Sequence, residues 1–124
     1  MEGPLLQKSK AMALAAIDLV RAVRAREKEF VLTNQFIRAA TNPGAMAREA
    51  RHAESRPDFI HKLAIAKKEA EESGYWFELL HEGHYLDGIE SEKFKRLHNE
   101  VMRILTASLR TNRAALKNGN SLKK

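Results

Sequence analysis

The chain has 124 residues, the size of one domain with its own core, and it carries a net charge of +6. The absence of cysteine excludes disulfides, iron–sulfur clusters and thiol nucleophiles. No apolar run approaches the roughly 20 residues that a membrane span needs, and the N-terminal sequence is not that of a signal peptide. The sequence therefore predicts a soluble protein of the cytoplasm with no membrane partner.

The first half of the chain predicts two helices after a frayed lead-in over residues 1–7. The first helix is expected over residues 9–28, where apolar residues recur at helical spacing. Thr33 is a candidate N-cap for a second helix over residues 33–52. The interior Pro43 removes a backbone hydrogen bond, so a bend is predicted at residues 42–43.

The third helix is the most clearly marked, and it is predicted over residues 56–82. Ser55 is a good N-cap, and Asp58 three residues later can complete a capping box. A buried stripe is predicted at alternating steps of four and three residues: Phe59, Leu63, Ala66, Ala70, Ser73, Phe77 and Leu80. Gly74 inside this helix costs about 1 kcal/mol relative to alanine, which predicts the close approach of a neighbouring backbone.

The fourth helix is predicted over residues 90–117, followed by a disordered polar tail over residues 118–124. No acidic residue occurs between Val101 and Lys124, so the excess positive charge lies at this end of the chain. A seven-residue step returns to almost the same side of a helix. One basic ridge is therefore predicted opposite the apolar face of the helix: Arg96, Arg103, Arg110 and Lys117, flanked by Arg113.

Four long amphipathic segments with short connections have few ways to bury their apolar faces. The sequence predicts a single all-α domain, an antiparallel four-helix bundle in which the chain runs up, down, up and down. No strand-like alternation competes with this interpretation.

A family resemblance is carried by three segments between residues 44 and 80: GAMAREA, then Ser55, then DFIHKLAIAKKEAEESGYWFELL. Their order and spacing resemble the small bacterial proteins known as 23S rRNA intervening-sequence proteins. The chain departs from the usual family pattern at Asn42, Pro43 and Met46. The residues that match the family motif and are expected to have structural roles are Gly44, Glu49, Ser55, Asp58, Phe59, Tyr75 and Trp76.

The resemblance implies an assembly and a set of partners. Members of the family form four-helix bundles that assemble as ring-shaped homopentamers, so a homo-oligomer, most simply a pentamer, is expected here. Members are encoded within intervening sequences of ribosomal RNA genes. Related basic pentameric bundles serve as accessory proteins of reverse transcriptases in diversity-generating retroelements.

Two histidines near the end of the third helix are candidate metal ligands. His81 and His84 are three residues apart, whereas the zinc protease motif requires histidines four apart, and no third ligand is indicated by spacing. No nucleophile stands beside a base, and no glycine-rich phosphate loop is present. The sequence predicts no metal, no cofactor, no catalytic residue and no enzymatic activity.

The basic ridge is the strongest functional signal that does not depend on the resemblance. Regularly spaced arginines on a helix can contact successive phosphates, although a ridge of this kind also occurs as a solvated face that promotes solubility. The first hypothesis is a non-enzymatic nucleic-acid-binding protein, with structured RNA as its ligand. The alternative is a protein–protein adaptor, for example an accessory subunit of a reverse transcriptase.

Overall fold

Four helices make up nearly all of residues 3–119, the part of the chain that this computed structural model describes. They are α1 (Pro4–Glu27), α2 (Val31–Ala50), α3 (Arg56–Glu82) and α4 (Gly88–Lys117). No strand occurs among these residues. The all-α, four-helix prediction is therefore confirmed.

The helices occupy the corners of a bundle in chain order. α1 packs against α2 and α4, and α3 packs against the same two helices, with the most extensive contact between α2 and α3. The backbones of α1 and α3 do not approach each other, so these two helices lie at diagonal corners. The core between the four helices is aliphatic and rich in alanine, and three phenylalanines lie within it: Phe36, Phe77 and Phe94.

The buried stripe of α3 follows the predicted spacing with one change at its start. Leu63 and the five later members of the stripe are buried as expected. Ile60, and not Phe59, is the buried residue of the first turn, while Phe59 is half-buried beside the core. A helix with 3.6 residues per turn drifts relative to a seven-residue repeat, and this drift brings the next residue inward.

The first helix begins earlier than predicted. α1 starts at Pro4, so the expected lead-in over residues 1–7 is wrong for the described residues 4–7. Proline is compatible with the first turn of a helix because its missing N–H would have no intrahelical partner there. At its other end α1 stops at Glu27, where Lys28 adopts a left-handed conformation (φ 54°).

The second helix also begins two residues early, at Val31, because its cap is not the predicted one. The carboxylate of Glu29 accepts hydrogen bonds from the backbone N–H groups of Leu32 and Thr33 at 2.8 and 3.0 Å. The Thr33 hydroxyl donates to the carbonyl of Glu29 at 2.8 Å. Thr33 therefore lies inside the helix, and the first-turn N–H groups are paired with a glutamate that precedes it.

α2 is helical without a break from residue 31 to residue 50, so the chain does not leave the helix at Pro43, and the bend predicted at residues 42–43 stays a prediction. The pyrrolidine ring of Pro43 is fully buried, so its packing offsets the lost backbone bond. α2 ends at Ala50 and not at residue 52. The N–H groups of Arg51 and His52 turn back to carbonyls three residues earlier, which closes the helix in a tighter turn.

Ser55 caps the N-terminus of α3 as predicted. The second hydrogen bond, made by Asp58, differs from that of the predicted capping box. The Ser55 hydroxyl oxygen accepts from the backbone N–H of Asp58 at 3.1 Å. The Asp58 carboxylate accepts from the backbone N–H of Glu54, one residue before the cap, at 3.2 Å, and from Lys62 Nζ at 3.2 Å. The bond from Glu54 first, and then the bond from Lys62, lower the pKa of Asp58 below its ordinary value of 3.8.

The lowered pKa of Asp58 predicts a defined pH dependence. A carboxyl group that binds its proton more weakly in the folded state contributes stability above its unfolded pKa and loses it as pH falls through the folded pKa. We expect Asp58→Asn to lower the melting temperature at pH 7, with a difference that shrinks as pH falls below the ordinary pKa of 3.8 and the carboxyl group becomes protonated in the folded state. Glu92→Gln, a change at an exposed acid of α4, is the control. A difference that persists unchanged in acid would contradict the assignment.

Gly74 is explained by a side chain and not by the predicted backbone approach. A Cβ atom at this position would lie 3.0 Å from two atoms of the His98 ring. His98 reaches from α4 to α3, where its Nε2 lies 2.9 Å from the carbonyl oxygen of Ala70, and its ring stacks on Phe94. The glycine leaves the room that this histidine occupies.

A double-mutant cycle tests the pairing of Gly74 with His98. Alanine is about 1 kcal/mol better than glycine inside a helix. We expect Gly74→Ala to give that gain in free energy of unfolding in the His98→Ala background, and to give no gain in the wild type because the imidazole must move. Equal gains in both backgrounds, measured by chemical denaturation, would refute this explanation.

The connection from α3 to α4 is held against the end of α1. Arg26 forms an ion pair with Glu90 at 3.0 Å and donates to the backbone carbonyl of Tyr85. Asp87 and Glu90 form a complete capping box at the start of α4. This box explains why α4 begins at Gly88, two residues before the predicted start.

The predicted disordered tail, residues 118–124, lies largely outside the described residues. Of this segment Asn118 and Gly119 are described, and they form a turn in which the Asn118 N–H bonds to the carbonyl of Ala114.

Candidate nucleic-acid interface

The rotational position of α4 is set by its apolar face. Its buried residues recur at helical spacing and face the core: Ser91, Phe94, Leu97, Val101, Leu105 and Leu109. Phe94 anchors this face, since its ring meets those of Phe36 and Phe77 at centroid distances of 4.9 and 5.0 Å. The opposite side of α4 consequently faces away from the other three helices.

The basic ridge lies on this outward side. All five predicted residues are exposed: Arg96, Arg103, Arg110, Arg113 and Lys117. With a rise of 1.5 Å per residue, the step of seven separates successive members by roughly 10 Å, and the whole ridge is about 30 Å long. The geometry is that of a straight row of cations along one edge of the bundle.

No residue among the described 3–119 neutralises the ridge. None of its five side chains makes a hydrogen bond or an ion pair within that part of the chain. Glu100 is the one acidic residue between positions 96 and 117 of the sequence, and its carboxylate is paired with Lys8 of α1 at 3.3 Å. Between positions 96 and 117, α4 therefore has no unpaired acidic residue beside the ridge.

Two of the arginines flank a shallow depression of about 470 Å³ on α4. Met102, Thr106 and Ala107 form its floor between Arg103 and Arg110. No aromatic side chain lines it, so it offers no platform on which an unpaired base could stack. Of the residues that line it, only Arg103 and Arg110 are charged, and its floor is mainly apolar.

The two histidines that are candidate metal ligands lie in different surroundings. The ring of His81 stacks on that of Phe77, with a centroid distance of 6.1 Å, and His84 adopts a left-handed conformation (φ 71°) in the turn after α3. Within residues 3–119 no three His, Cys, Asp or Glu residues are grouped in a way that could hold a metal ion.

The seven motif residues are spread along α2, the α2–α3 connection and α3, and they do not meet in one site: Gly44, Glu49, Ser55, Asp58, Phe59, Tyr75 and Trp76. A Cβ atom at Gly44 would lie 3.5 Å from the Ser9 hydroxyl oxygen of α1, an ordinary contact distance, so the packing of α1 on α2 does not require glycine at this position. Tyr75 is exposed and Trp76 half-buried, with their rings in edge contact at 5.2 Å. Glu49 is exposed.

A groove at one end of the bundle was not predicted from the sequence. The groove, of about 550 Å³, opens at the end of the bundle where α1 begins and α3 begins. All four helices contribute to its walls, among them Leu6, Ala47, Phe59, Leu63 and Ile104. Because its residues come from four separate segments, no spacing rule along one helix could have indicated it.

No helix among the described residues has the length and apolar character needed to cross a membrane.

Comparison with known proteins identifies the family. No curated protein gives a significant match. Among solved structures, the chain is similar to the crystal structure of a protein of unknown function from the S23 ribosomal protein family of Bacteroides thetaiotaomicron. The two share 37% sequence identity with a TM-score of 0.81, over 85% of this chain and 97% of the other. The 23S rRNA-intervening sequence protein family matches residues 3–107. The chain therefore belongs to the 23S rRNA-intervening sequence protein family, as its resemblance implied.

Proposed function

We propose that this protein is a non-enzymatic, cytoplasmic nucleic-acid-binding protein that holds structured RNA on the basic ridge of α4. The observation that carries the proposal is the row of five exposed cations, unpaired within residues 3–119, on one outward edge of the bundle. Lys and Arg side chains that contact phosphates release counterions, and this release makes binding strong at low salt and weakly dependent on sequence. The family name, which refers to ribosomal RNA, supports RNA as the ligand.

The proposal includes an antiparallel bundle and a ring-shaped homopentamer. Two contacts support the antiparallel order of α1 and α4: Arg26 near the end of α1 pairs with Glu90 near the start of α4, whereas Lys8 pairs with Glu100. Repetition of one ridge in each subunit would raise the effective concentration of cations around a bound strand. A modest affinity per ridge is then sufficient for tight binding by the assembly.

A second candidate function is a protein–protein adaptor, such as an accessory subunit of a reverse transcriptase. It is favoured by exposed apolar side chains near the end where α1 stops and α4 begins. Phe30, Val31 and Ile89 are 52, 74 and 89% exposed. Exposed apolar groups of this size are more typical of contact surfaces than of solvated turns.

A salt series separates the two functions. We expect the protein to bind a structured RNA hairpin and duplex DNA, with an affinity that falls steeply as salt increases. For duplex DNA, removal of two phosphate contacts by Arg103→Ala and Arg110→Ala should reduce the slope of log K against log salt by about 2.

The matched control is Arg38→Ala with Lys68→Ala, which removes the same charge from exposed positions on α2 and α3. It should leave the slope nearly unchanged. Absence of binding at low salt, or an equal effect of both pairs, would overturn the assignment of the ridge and favour the adaptor.

A further inference from the structure

α1 and α3 each carry a second row of residues on the side that faces away from the core. On α1 the row is Lys10, Leu14, Ile17 and Arg21, at steps of four, three and four residues. We call it the α1 outer stripe. On α3 the row is Glu72, Tyr75, Leu79 and Glu82, at steps of three, four and three residues. We call it the α3 outer stripe. Such steps keep each row on one side of its helix.

The two outer stripes share one order of charged and apolar residues, but their charges are opposite in sign. Each has two apolar residues in the middle, and the exposed member of each pair, Leu14 or Tyr75, has more than half of its surface accessible. The ends of the α1 outer stripe are cationic and those of the α3 outer stripe are anionic. The charged ends are separated by about 16 Å on α1 and about 15 Å on α3, so the two stripes match in length.

The charged ends of both stripes are available for a partner. Lys10, Arg21, Glu72 and Glu82 are exposed, and within residues 3–119 none of them forms an ion pair or hydrogen bond. Two further exposed acids, Glu71 and Glu78, lie beside the α3 outer stripe and strengthen its negative potential.

The register of a contact between the stripes is also defined. Lys68 precedes Glu72 by one helical turn and is exposed on the same side of α3. Displacement of the contact by one turn would bring Lys68 against a cation of the α1 outer stripe, and like charges in contact are repulsive. The pairing with Glu72 and Glu82 is therefore favoured over its displaced alternative.

We propose that the α1 outer stripe of one copy of this chain docks on the α3 outer stripe of a second copy. The apolar residues pack at the centre of this contact, and Lys10 and Arg21 pair with the two glutamates at its ends. Because α1 and α3 lie at diagonal corners, the two stripes of one chain are on opposite sides of the bundle. Each copy can then bind one neighbour on each side, an arrangement that joins copies head to tail and closes into a ring if the rotation permits.

This contact deepens the assembly part of the proposed function and does not involve the basic ridge. α4 lies between α1 and α3 around the bundle, so its outer edge belongs to a third side. The ridge remains accessible in every copy of the assembly.

Charge reversal and charge exchange test the contact. In the variant K10E/R21E the ends of both outer stripes are negative. In the variant E72K/E82K the ends of both outer stripes are positive. We expect each to raise the protein concentration at half-assembly by about tenfold or more, because attraction at both ends becomes repulsion. The four substitutions together restore opposite charges and should restore the mass of the wild-type assembly.

The measurement is mass by light scattering over a concentration series, with circular dichroism to establish that each variant is folded. R38E/R51E, at exposed positions on α2 and directly after it, changes the net charge by the same amount as K10E/R21E and should leave the mass unchanged. A wild type that remains a single chain overturns both the ring and this contact. A wild-type assembly that withstands both reversals overturns this contact alone, and RNA binding by the ridge is measured separately.

Discussion

The contact of three phenylalanine rings determines which sides of α2, α3 and α4 face the core. Phe36, Phe77 and Phe94 come from α2, α3 and α4, and their centroids lie between 4.9 and 6.4 Å apart. Burial of Phe94 requires one side of α4 to face the core, and the helical period then places Arg96 and the residues seven apart from it on the opposite side. The position of the basic ridge thus follows from the aromatic contact.

The sides of the helices that face the core and the sides that face solvent differ in residue type. Around the core, α1, α2 and α3 bury alanines, which allow close packing, whereas no alanine is among the buried residues of α4. On the outside, two acidic residues of α4 are paired: Glu90 with Arg26 and Glu100 with Lys8. The cations of the ridge have no such partner among the described residues. The positive charge of the chain is therefore concentrated where an anionic polymer can reach it.

The parts of the fold that depend on local rules were predictable from the sequence. The cap at Ser55, the bounds of α3 and the exposure of the basic ridge all follow from capping chemistry or from the helical period. The predicted start of α1 was wrong because Pro4 begins the helix, in the first turn, where proline is favoured. The helix continues through Pro43 although an interior proline removes a backbone hydrogen bond; the ring of Pro43 is buried, and burial is a tertiary property.

The features that the sequence could not indicate join segments that are distant in the chain. His98 occupies the space that Gly74 leaves, and Arg26 holds a turn that lies about 60 residues later; neither pairing has a spacing rule. The groove at the end of the bundle is built from all four helices for the same reason. For the candidate interface, sequence supplied the residues and their common side. The structure added that none of the five cations has a partner among residues 3–119, and that Glu100 is paired with α1.

The most direct test of the central claim is arginine footprinting of the assembled protein with and without a bound RNA hairpin. Phenylglyoxal modifies exposed guanidinium groups, and mass spectrometry gives the extent of modification at each residue. The account predicts that RNA protects Arg96, Arg103, Arg110 and Arg113, while Arg38 on α2 stays as reactive as in the free protein. Protection of Arg38 with no change along α4 would contradict it.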